Sequence, residues 1–471
     1  MKWRLWSVLA LIVLAGIVGC FPEKRVLWSP DGRWAAVVGG DGLYVCGEDG
    51  QLSPRVAESV KRVAWLPDSR HLLMARVVKI KTWPEMLPFV SDERRQRLED
   101  AAEQTRGQVL AYEGDFDEFE PQGLDDLTDG EKGAMFLCLR DGHAEGLPEK
   151  LGEKWDDLKD AAIDGWSLQW AEWAERGARP GRVLVRSADE MLELCVSADG
   201  GAVAFVAPAP GGSGAGRLLV VPSDGTTPPR LVAEYVARGV DWSAEGQYLT
   251  YANTKGPYEK GALTLGEIAR RAVRDEAGQL LEEFGKPEDL AGVVFQPELR
   301  VRCLKTGEIL FAAMEVHLPC TAGDMPQRMS LFALEPEKHP VVVRVMPRGA
   351  EDEVADGVFL FEVSPDEKHV CIPGMSGEVS ILTLATGKVW TLIDKEHAAG
   401  KLHTVPTWRS DDELCAAVPG AAGSERAEVA RLRLDWSKPG STTTVISRDW
   451  SDDVARDFLL PEKRGTQQTG D

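Results

Sequence analysis

Apolar residues in this chain recur in short runs, each interrupted by a turn that carries an acid and then resumed. An apolar strand end, a turn and a second apolar strand follow one another in this way six times. The copies begin Val26-Leu27-Trp28-Ser29-Pro30-Asp31-Gly32, Val63-Ala64-Trp65-Leu66-Pro67-Asp68-Ser69 and Leu194-Cys195-Val196-Ser197-Ala198-Asp199-Gly200. They continue with Val240-Asp241-Trp242-Ser243-Ala244-Glu245-Gly246, Phe361-Glu362-Val363-Ser364-Pro365-Asp366-Glu367 and Pro406-Thr407-Trp408-Arg409-Ser410-Asp411-Asp412. Asp31, Asp68, Asp199, Glu245, Asp366 and Asp411 share one column, and Trp28, Trp65, Val196, Trp242, Val363 and Trp408 share another. Proline presets φ at the first corner of a turn, the acid bonds nearby backbone N–H groups, and glycine takes the positive φ that follows. The acid column is therefore read as hairpin chemistry in preference to a catalytic or metal-binding ring, because the turn also accounts for the prolines and glycines.

A second hairpin follows most copies, as in Leu43-Tyr44-Val45-Cys46 before Asp49-Gly50, Leu218-Leu219-Val220-Val221 before Asp224-Gly225, and Ile381-Leu382-Thr383-Leu384 before Thr386-Gly387. Two hairpins make a four-stranded unit, and acids 37, 46 and 45 residues apart (Asp31 to Asp68, Asp199 to Glu245, Asp366 to Asp411) set its length. The Ser-Pro-Asp-Gly turn leading into a short apolar strand resembles the repeats of TolB-type, WD-repeat-like β-propellers. That resemblance covers residues 20–450 and implies an all-β fold of six four-stranded blades, or seven. The count stays open because the stretch 300–346 holds hairpin-like pieces near Thr306-Gly307 and Lys338 without an acidic first turn. Helical insertions are expected at 79–134, 143–180 and 254–298. Thr264-Leu265-Gly266-Glu267 reads as a capping box, and Trp155, Leu158, Ala162, Trp166, Trp170 and Trp173 fall at helical spacing. The insertions at 79–134 and 254–298 would both rise from one mouth of the ring and cap it.

The N-terminus has a different character. Lys2 and Arg4 precede an apolar run from Leu5 to Val18, which Gly19-Cys20 ends. The run is short for a membrane-spanning helix, which needs about 20 apolar residues. It resembles a bacterial lipoprotein signal: residues 1–19 would be removed and Cys20 would carry lipid. Localisation at a bacterial envelope membrane is implied, with outer-membrane residence facing the periplasm favoured because Phe21, not an acid, follows the cysteine. Membrane contact is expected through that anchor only, and residues 451–471 form a C-terminal tail. Net charge changes the choice of partners: 54 basic against 76 acidic residues leave −22, which excludes nucleic acid as a natural ligand. Cys46, Cys138, Cys195, Cys303, Cys371 and Cys415 lie in apolar runs and read as core thiols, with one disulfide left open.

Candidate chemistry is sparse. Residues 113–131 hold nine acids and no base. There Asp115, Asp117, Glu118 and Glu120 offer oxygens to calcium or a docking strip to a basic partner, though the spacing lacks the glycine and terminal glutamate of an EF-hand loop. No complete G-x-S-x-G elbow, H-E-x-x-H pair or phosphate-binding glycine loop is present. His71 and His369 are read as structural. The reading is a non-catalytic propeller without a cofactor that binds an envelope protein, polymer or small ligand. The alternative is a propeller hydrolase or lyase working at the channel mouth.

Overall fold

A computed structural model describes residues 24–451 and 454, apart from 118, 175–176, 212–213, 257–263, 296–299, 315–328, 339–341, 347–356, 375, 399–403, 421–426, 439 and 452–453. The 1–19 segment, Cys20, Glu118 and most of the 451–471 tail lie outside the described residues. Strands β1 (Val26–Trp28), β2 (Ala35–Val38), β3 (Gly42–Cys46) and β4 (Ala57–Glu58) form an antiparallel sheet. A second contains β5 (Val60–Trp65), β6 (His71–Ile80), β7 (Ile163–Ala174) and β8 (Gly177–Ser187).

An eleven-stranded sheet follows. Its strands are β9 (Glu193–Val196), β10 (Ala202–Pro208), β11 (Gly216–Pro222), β12 (Arg230–Trp242), β13 (Tyr248–Asn253), β14 (Thr264–Ala272), β15 (Glu288–Phe295), β16 (Val301–Cys303), β17 (Ile309–Met314), β18 (Met329–Leu334) and β19 (Val343–Arg344). It is irregular at two places. The first part of β12 pairs with β11 and its end with β13, with a register break between Val236 and Val240, while β15 meets β17 only at Val294 and Met314. The last two sheets contain β20 (Glu362–Val363), β21 (His369–Pro373), β22 (Val379–Thr383) and β23 (Lys388–Ile393), then β24 (Thr407–Ser410), β25 (Glu413–Pro419), β26 (Ala427–Leu434) and β27 (Ser441–Val445).

The strands are apolar on both faces because each sheet is covered on both. In β2, Ala36 and Val38 pack toward Val63, Trp65 and Leu72 of the second sheet, while Ala35 and Val37 pack toward Cys415 and Val429 of the last. On the other side of the second sheet, Leu73, Trp166 and Leu168 meet Val203, Phe205 and Val221. Cys371 and Ile381 meet Leu414, Ala416 and Leu432 in the same manner near the chain's end. The last sheet thus packs on the first, and Thr407 Oγ1 donates to the Val26 carbonyl at 2.6 Å across that junction. The chain has a propeller-type fold.

The aligned tryptophans hold neighbouring repeats together. Trp65 Nε1 donates to the Leu27 carbonyl at 2.8 Å, Trp242 to Cys195 at 3.2 Å and Trp408 to Glu362 at 3.0 Å. The Trp65 and Trp408 bonds run between first strands of neighbouring sheets, and the Trp242 bond runs from β12 to β9 within the eleven-stranded sheet. The turn acids bond locally. Ser29 donates to Asp31, Ser197 to Asp199 and Ser364 to Asp366, and each carboxylate also accepts a backbone N–H two residues on. At Asp68 the partners are the Arg70 and His71 amides. Glu245 sits in a turn closed by Gly246 N to Ser243 O at 2.8 Å. In the last copy the serine-bonding carboxylate is Asp412, not Asp411, because that turn is one residue tighter and Ser410 pairs directly with Glu413.

Several sequence expectations need correction. Residues 254–298 are not a helical insertion: 264–272 and 288–295 are strands of the large sheet. Their burial alternates, with Thr264, Gly266 and Ile268 inside and Leu265 75% exposed, so the leucine that seemed to start a helix face points to water. Gly266 marks a close approach, since a Cβ there would lie 2.4 Å from the Asn253 carbonyl oxygen. The expected cap of two insertions over one mouth therefore does not form. In 143–180, only the first part is helical. A spacing of four is also a multiple of two, so Ala162, Trp166 and Trp170 can share one face of a strand, and β7 carries the latter two. The stretch 300–346 does contain a first hairpin, β16–β17, whose turn at Thr306-Gly307 bonds Gly307 N to Leu304 O and lacks the acid used for alignment.

Among the described residues one helical insertion remains, 81–162, between β6 and β7 in place of the expected 79–134. It contains α1 (Trp83–Met86), α2 (Asp92–Ala111), α3 (Asp129–Gly142), α4 (Leu147–Leu151) and α5 (Glu153–Lys159). Its own core of Leu98, Ala102, Val109, Leu137 and Leu147 continues onto Ile80 and Ile163 at the strand ends. Thr128 and Glu131 form a capping box for α3, and Glu131 takes a bidentate Arg94. Thr128 also donates to Asp189, a buried residue after β8 that pairs with Arg217 of β11 at 2.7 Å.

Two predictions follow from this packing. Trp65→Phe should lower unfolding free energy by about 1–3 kcal/mol in urea titrations, because the Leu27 carbonyl loses a buried donor and the core loses volume. Burial pushes the Asp189 carboxyl up to about 6 from 3.8, against the opposing pull of Arg217. The folded state therefore binds this proton more tightly than the unfolded chain does. Its contribution to stability should grow as pH falls from about 7 toward 4, on the order of 1–3 kcal/mol, and Asp189→Asn should flatten that part of a thermal-unfolding pH profile.

Candidate functional site

The first strands of successive repeats converge on a cavity of about 440 Å³. Residues of β1, β5, β9, β12, β16 and β20 line it, together with those just ahead of them in the chain. These strands are antiparallel to their second partners, with Val60 opposite Arg76 near the end of β6. The ends at which first strands begin are thus the ends from which second strands leave, and insertion 81–162 departs from this same face.

The lining carries Lys24, Arg62, Arg238, Arg300 and Arg302 against Glu193, Asp241 and Glu362. Each acid has a base: Lys24 meets Glu362 at 2.6 Å, Arg302 meets Asp241 at 3.3 Å, and Arg300 pairs with Glu193. Arg62 donates to the carbonyls of Leu192 at 3.2 Å and Lys61 at 2.9 Å. Asp241 is the best satisfied of the acids. Buried, it accepts from the Cys303 amide at 2.9 Å, the Trp242 amide at 3.0 Å and the Cys195 thiol at 3.4 Å. Its charge holds the Arg302 guanidinium above its usual range.

Among the described residues the lining holds one thiol, Cys195. Burial, reinforced by Asp241, holds the Cys195 and Cys303 thiols well above their usual range, so neither supplies a thiolate. All six cysteines named from the sequence are free. Among the described residues no histidine lines the cavity. His71 bonds Asp68 at 2.5 Å, His143 faces Glu103, His397 faces Asp394, and His369 stacks on Trp436 at 3.7 Å. No three His, Cys, Asp or Glu side chains gather at a metal-binding distance among the described residues.

The residues singled out in the sequence lie elsewhere. None of the six turn acids lines the cavity. Among the described residues Asp199 alone of them has a long-range partner for its carboxylate: Arg274 grips it through both oxygens at 3.0 and 2.6 Å and keeps its carboxyl well below the usual range. In the acidic stretch, the Lys154 ammonium reaches Asp117 at 2.8 Å and Asp115 at 3.8 Å, an internal countercharge where calcium was considered. Glu120 is exposed and Glu118 lies outside the described residues. The cavity charges were missed, although one signal was present: Lys24, Arg62, Glu193 and Arg238 each stand three or four positions before Trp28, Trp65, Val196 and Trp242 of the repeat column.

No protein-family model matches the chain, and no curated protein does. Solved structures do. A putative TolB from Agrobacterium tumefaciens is 12% identical over 56% of this chain and 83% of its own, with a TM-score of 0.35. An oligogalacturonate lyase in complex with manganese is 8% identical over 88% and 89%, with a TM-score of 0.47. The Swd1 β-propeller domain from Myceliophteria thermophila is 10% identical over 87% and 96%, with a TM-score of 0.44.

Asp241→Ala should destabilise the protein by about 2–4 kcal/mol in urea titrations, since it strands two buried amides and leaves Arg302 without its carboxylate.

Proposed function

We propose that this protein is a non-catalytic binding propeller of seven four-stranded blades, held at a bacterial envelope membrane by lipid on Cys20. The seventh unit is β16–β19, and blades three, four and five run together through the shared strand β12 and the single Val294–Met314 pair. The observation that carries a binding role is the cavity itself. Most of its polar groups are charged side chains fixed by partners, and its Cys195 thiol is protonated, so it is equipped to hold a ligand and poorly equipped to move protons or attack one. The anchor rests on the sequence: a basic start, an apolar run and Gly19-Cys20. A partner from the envelope, protein or polymer, would meet the face from which insertion 81–162 rises, because loops held on a rigid scaffold are where binding residues concentrate.

Cys20→Ser should move the protein from the membrane to the soluble fraction, and mass spectrometry of the wild type should find acyl chains on Cys20. Affinity capture of the detergent-solubilised protein from its own envelope should recover a specific partner. Membrane retention of the serine variant, or an unmodified Cys20, would overturn the anchor.

A further inference from the structure

We propose that a second cleft, of about 350 Å³ on the rim opposite insertion 81–162, binds a neutral saccharide, with Trp170 as its aromatic wall and Arg182 and Asp224 as its principal polar contacts. The site is separate from the central cavity and does not depend on what that cavity holds.

The cleft forms where two neighbouring repeats meet. His71 opens β6 directly after the Asp68 turn and pairs with Glu172 near the tip of the β7–β8 hairpin, while Ile80 at the other end of β6 leads into the insertion. Ser223 and Asp224 come from the turn between β11 and β12. A Cβ on Gly225 of that turn would lie 2.9 Å from Leu184 Cδ2, so the turn rests against β8. The cleft therefore lies on the face of the Asp31-type turns.

Its wall is a ring placed by the backbone. Trp170 sits at a register break in the β7–β8 pairing, between Gln169 opposite Val183 and Ala171 opposite Pro180, and a bulge of this kind re-aims a side chain. Across from it, a Cβ on Gly181 would come within 2.7 Å of Trp170 Cβ, so glycine is what leaves the bulge its room. The His71 ring lies 5.0 Å from the Trp170 ring, and both are half-buried. Unlike Trp65, Trp242 and Trp408, Trp170 has a buried Nε1 that meets no acceptor. Its position thus serves the ring and not a backbone carbonyl.

The polar groups around this wall are balanced in sign. Arg179 and Arg182 are exposed and, among the described residues, have neither a hydrogen bond nor an ion pair. Glu172 stands opposite Arg179 in the strand register, yet its ion pair is with Arg70 at 3.8 Å. Asp224 Oδ1 accepts from the Thr226 amide at 3.0 Å and hydroxyl at 2.8 Å, which holds its carboxyl below the usual range and leaves Oδ2 for a ligand. Two bases and two acids offer no net attraction to an ion. Sugar hydroxyls both donate and accept, so guanidinium forks and carboxylates serve them alike. The C–H face of a sugar ring packs on an aromatic side chain, and the volume falls within the range of about 300–1,000 Å³ for small-ligand pockets.

Isothermal titration calorimetry on the detergent-solubilised full-length protein tests this with glucose, galactose, N-acetylglucosamine and its β-1,4 disaccharide as probes. Sodium sulfate serves as an anion and glycerol as a polyol without a ring. At least one sugar should bind one per chain with an affinity that sodium chloride leaves unchanged, and neither sulfate nor glycerol should bind. Arg182→Gln and Asp224→Asn should each weaken sugar binding about fivefold or more, the loss of one hydrogen-bonding contact. Trp170→Phe, which keeps an aromatic face, should retain part of it. Lys159→Gln, on the insertion, should change nothing. An unaltered thermal midpoint for Arg182→Gln will show that the fold is intact. Tighter binding of the disaccharide than of its monomer identifies a polymer fragment as the ligand, and equal binding a free sugar. Absence of binding by all four sugars, binding by sulfate alone, or wild-type affinity in both Arg182→Gln and Asp224→Asn overturns the site.

Discussion

The contact on which this architecture depends is the indole N–H of one repeat's first strand reaching a backbone carbonyl in the first strand of the repeat before it. First strands lie innermost, where their carbonyls have few sheet partners and little water, so an unmet acceptor there is costly. Trp65, Trp242 and Trp408 meet this need, and their buried rings also pack between neighbouring repeats. One residue type thus satisfies a polar group and excludes solvent at once, which explains why a bulky aromatic recurs at this place in the repeat.

That contact also makes sheet order cyclic. Every sheet needs a neighbour on each side, because β2 and its equivalents are apolar on both faces, and the first and last sheets can only satisfy this with each other. Closure uses side chains as well as apolar packing. Thr407 reaches Val26, Arg409 Nε donates to the Gly32 carbonyl at 2.9 Å, and Trp450 Nε1 donates to Gly50 at 2.8 Å. The long-range cost of bringing the chain's ends together is offset by the core that forms between Cys415, Val429, Val26 and Val37.

What could be read in advance followed from local chemistry. Ser-Pro-Asp-Gly turns and flanking apolar strands are set within about ten residues, so the hairpins and the propeller-type fold were visible in the sequence. Errors arose where two periods coincide. Trp166 and Trp170 satisfy both helix and strand spacing, and the Thr264–Glu267 capping pattern was overridden by six consecutive backbone pairs between β13 and β14. Glu367 shows the same override at one residue: it takes a left-handed φ of 58° in a glycine position, and its carboxylate accepts the Lys305 amide of the adjacent sheet at 2.8 Å. The cavity was not legible as a site because its five bases are spread from Lys24 to Arg302, and only the ring brings them together. Their charge was hidden too, since a balance of −22 describes the outer surface that most side chains face.

Lys24 lines the cavity, four residues after Cys20. With lipid on Cys20, that interval would be a leash of at most about 14 Å even when fully extended. The leash would join the body where the first strands begin, so the face from which insertion 81–162 rises would be the one held near the bilayer. A partner meeting that face would then be a membrane-bound component of the envelope, and a solute from the aqueous side would meet the opposite rim first, between the Asp31-type turns.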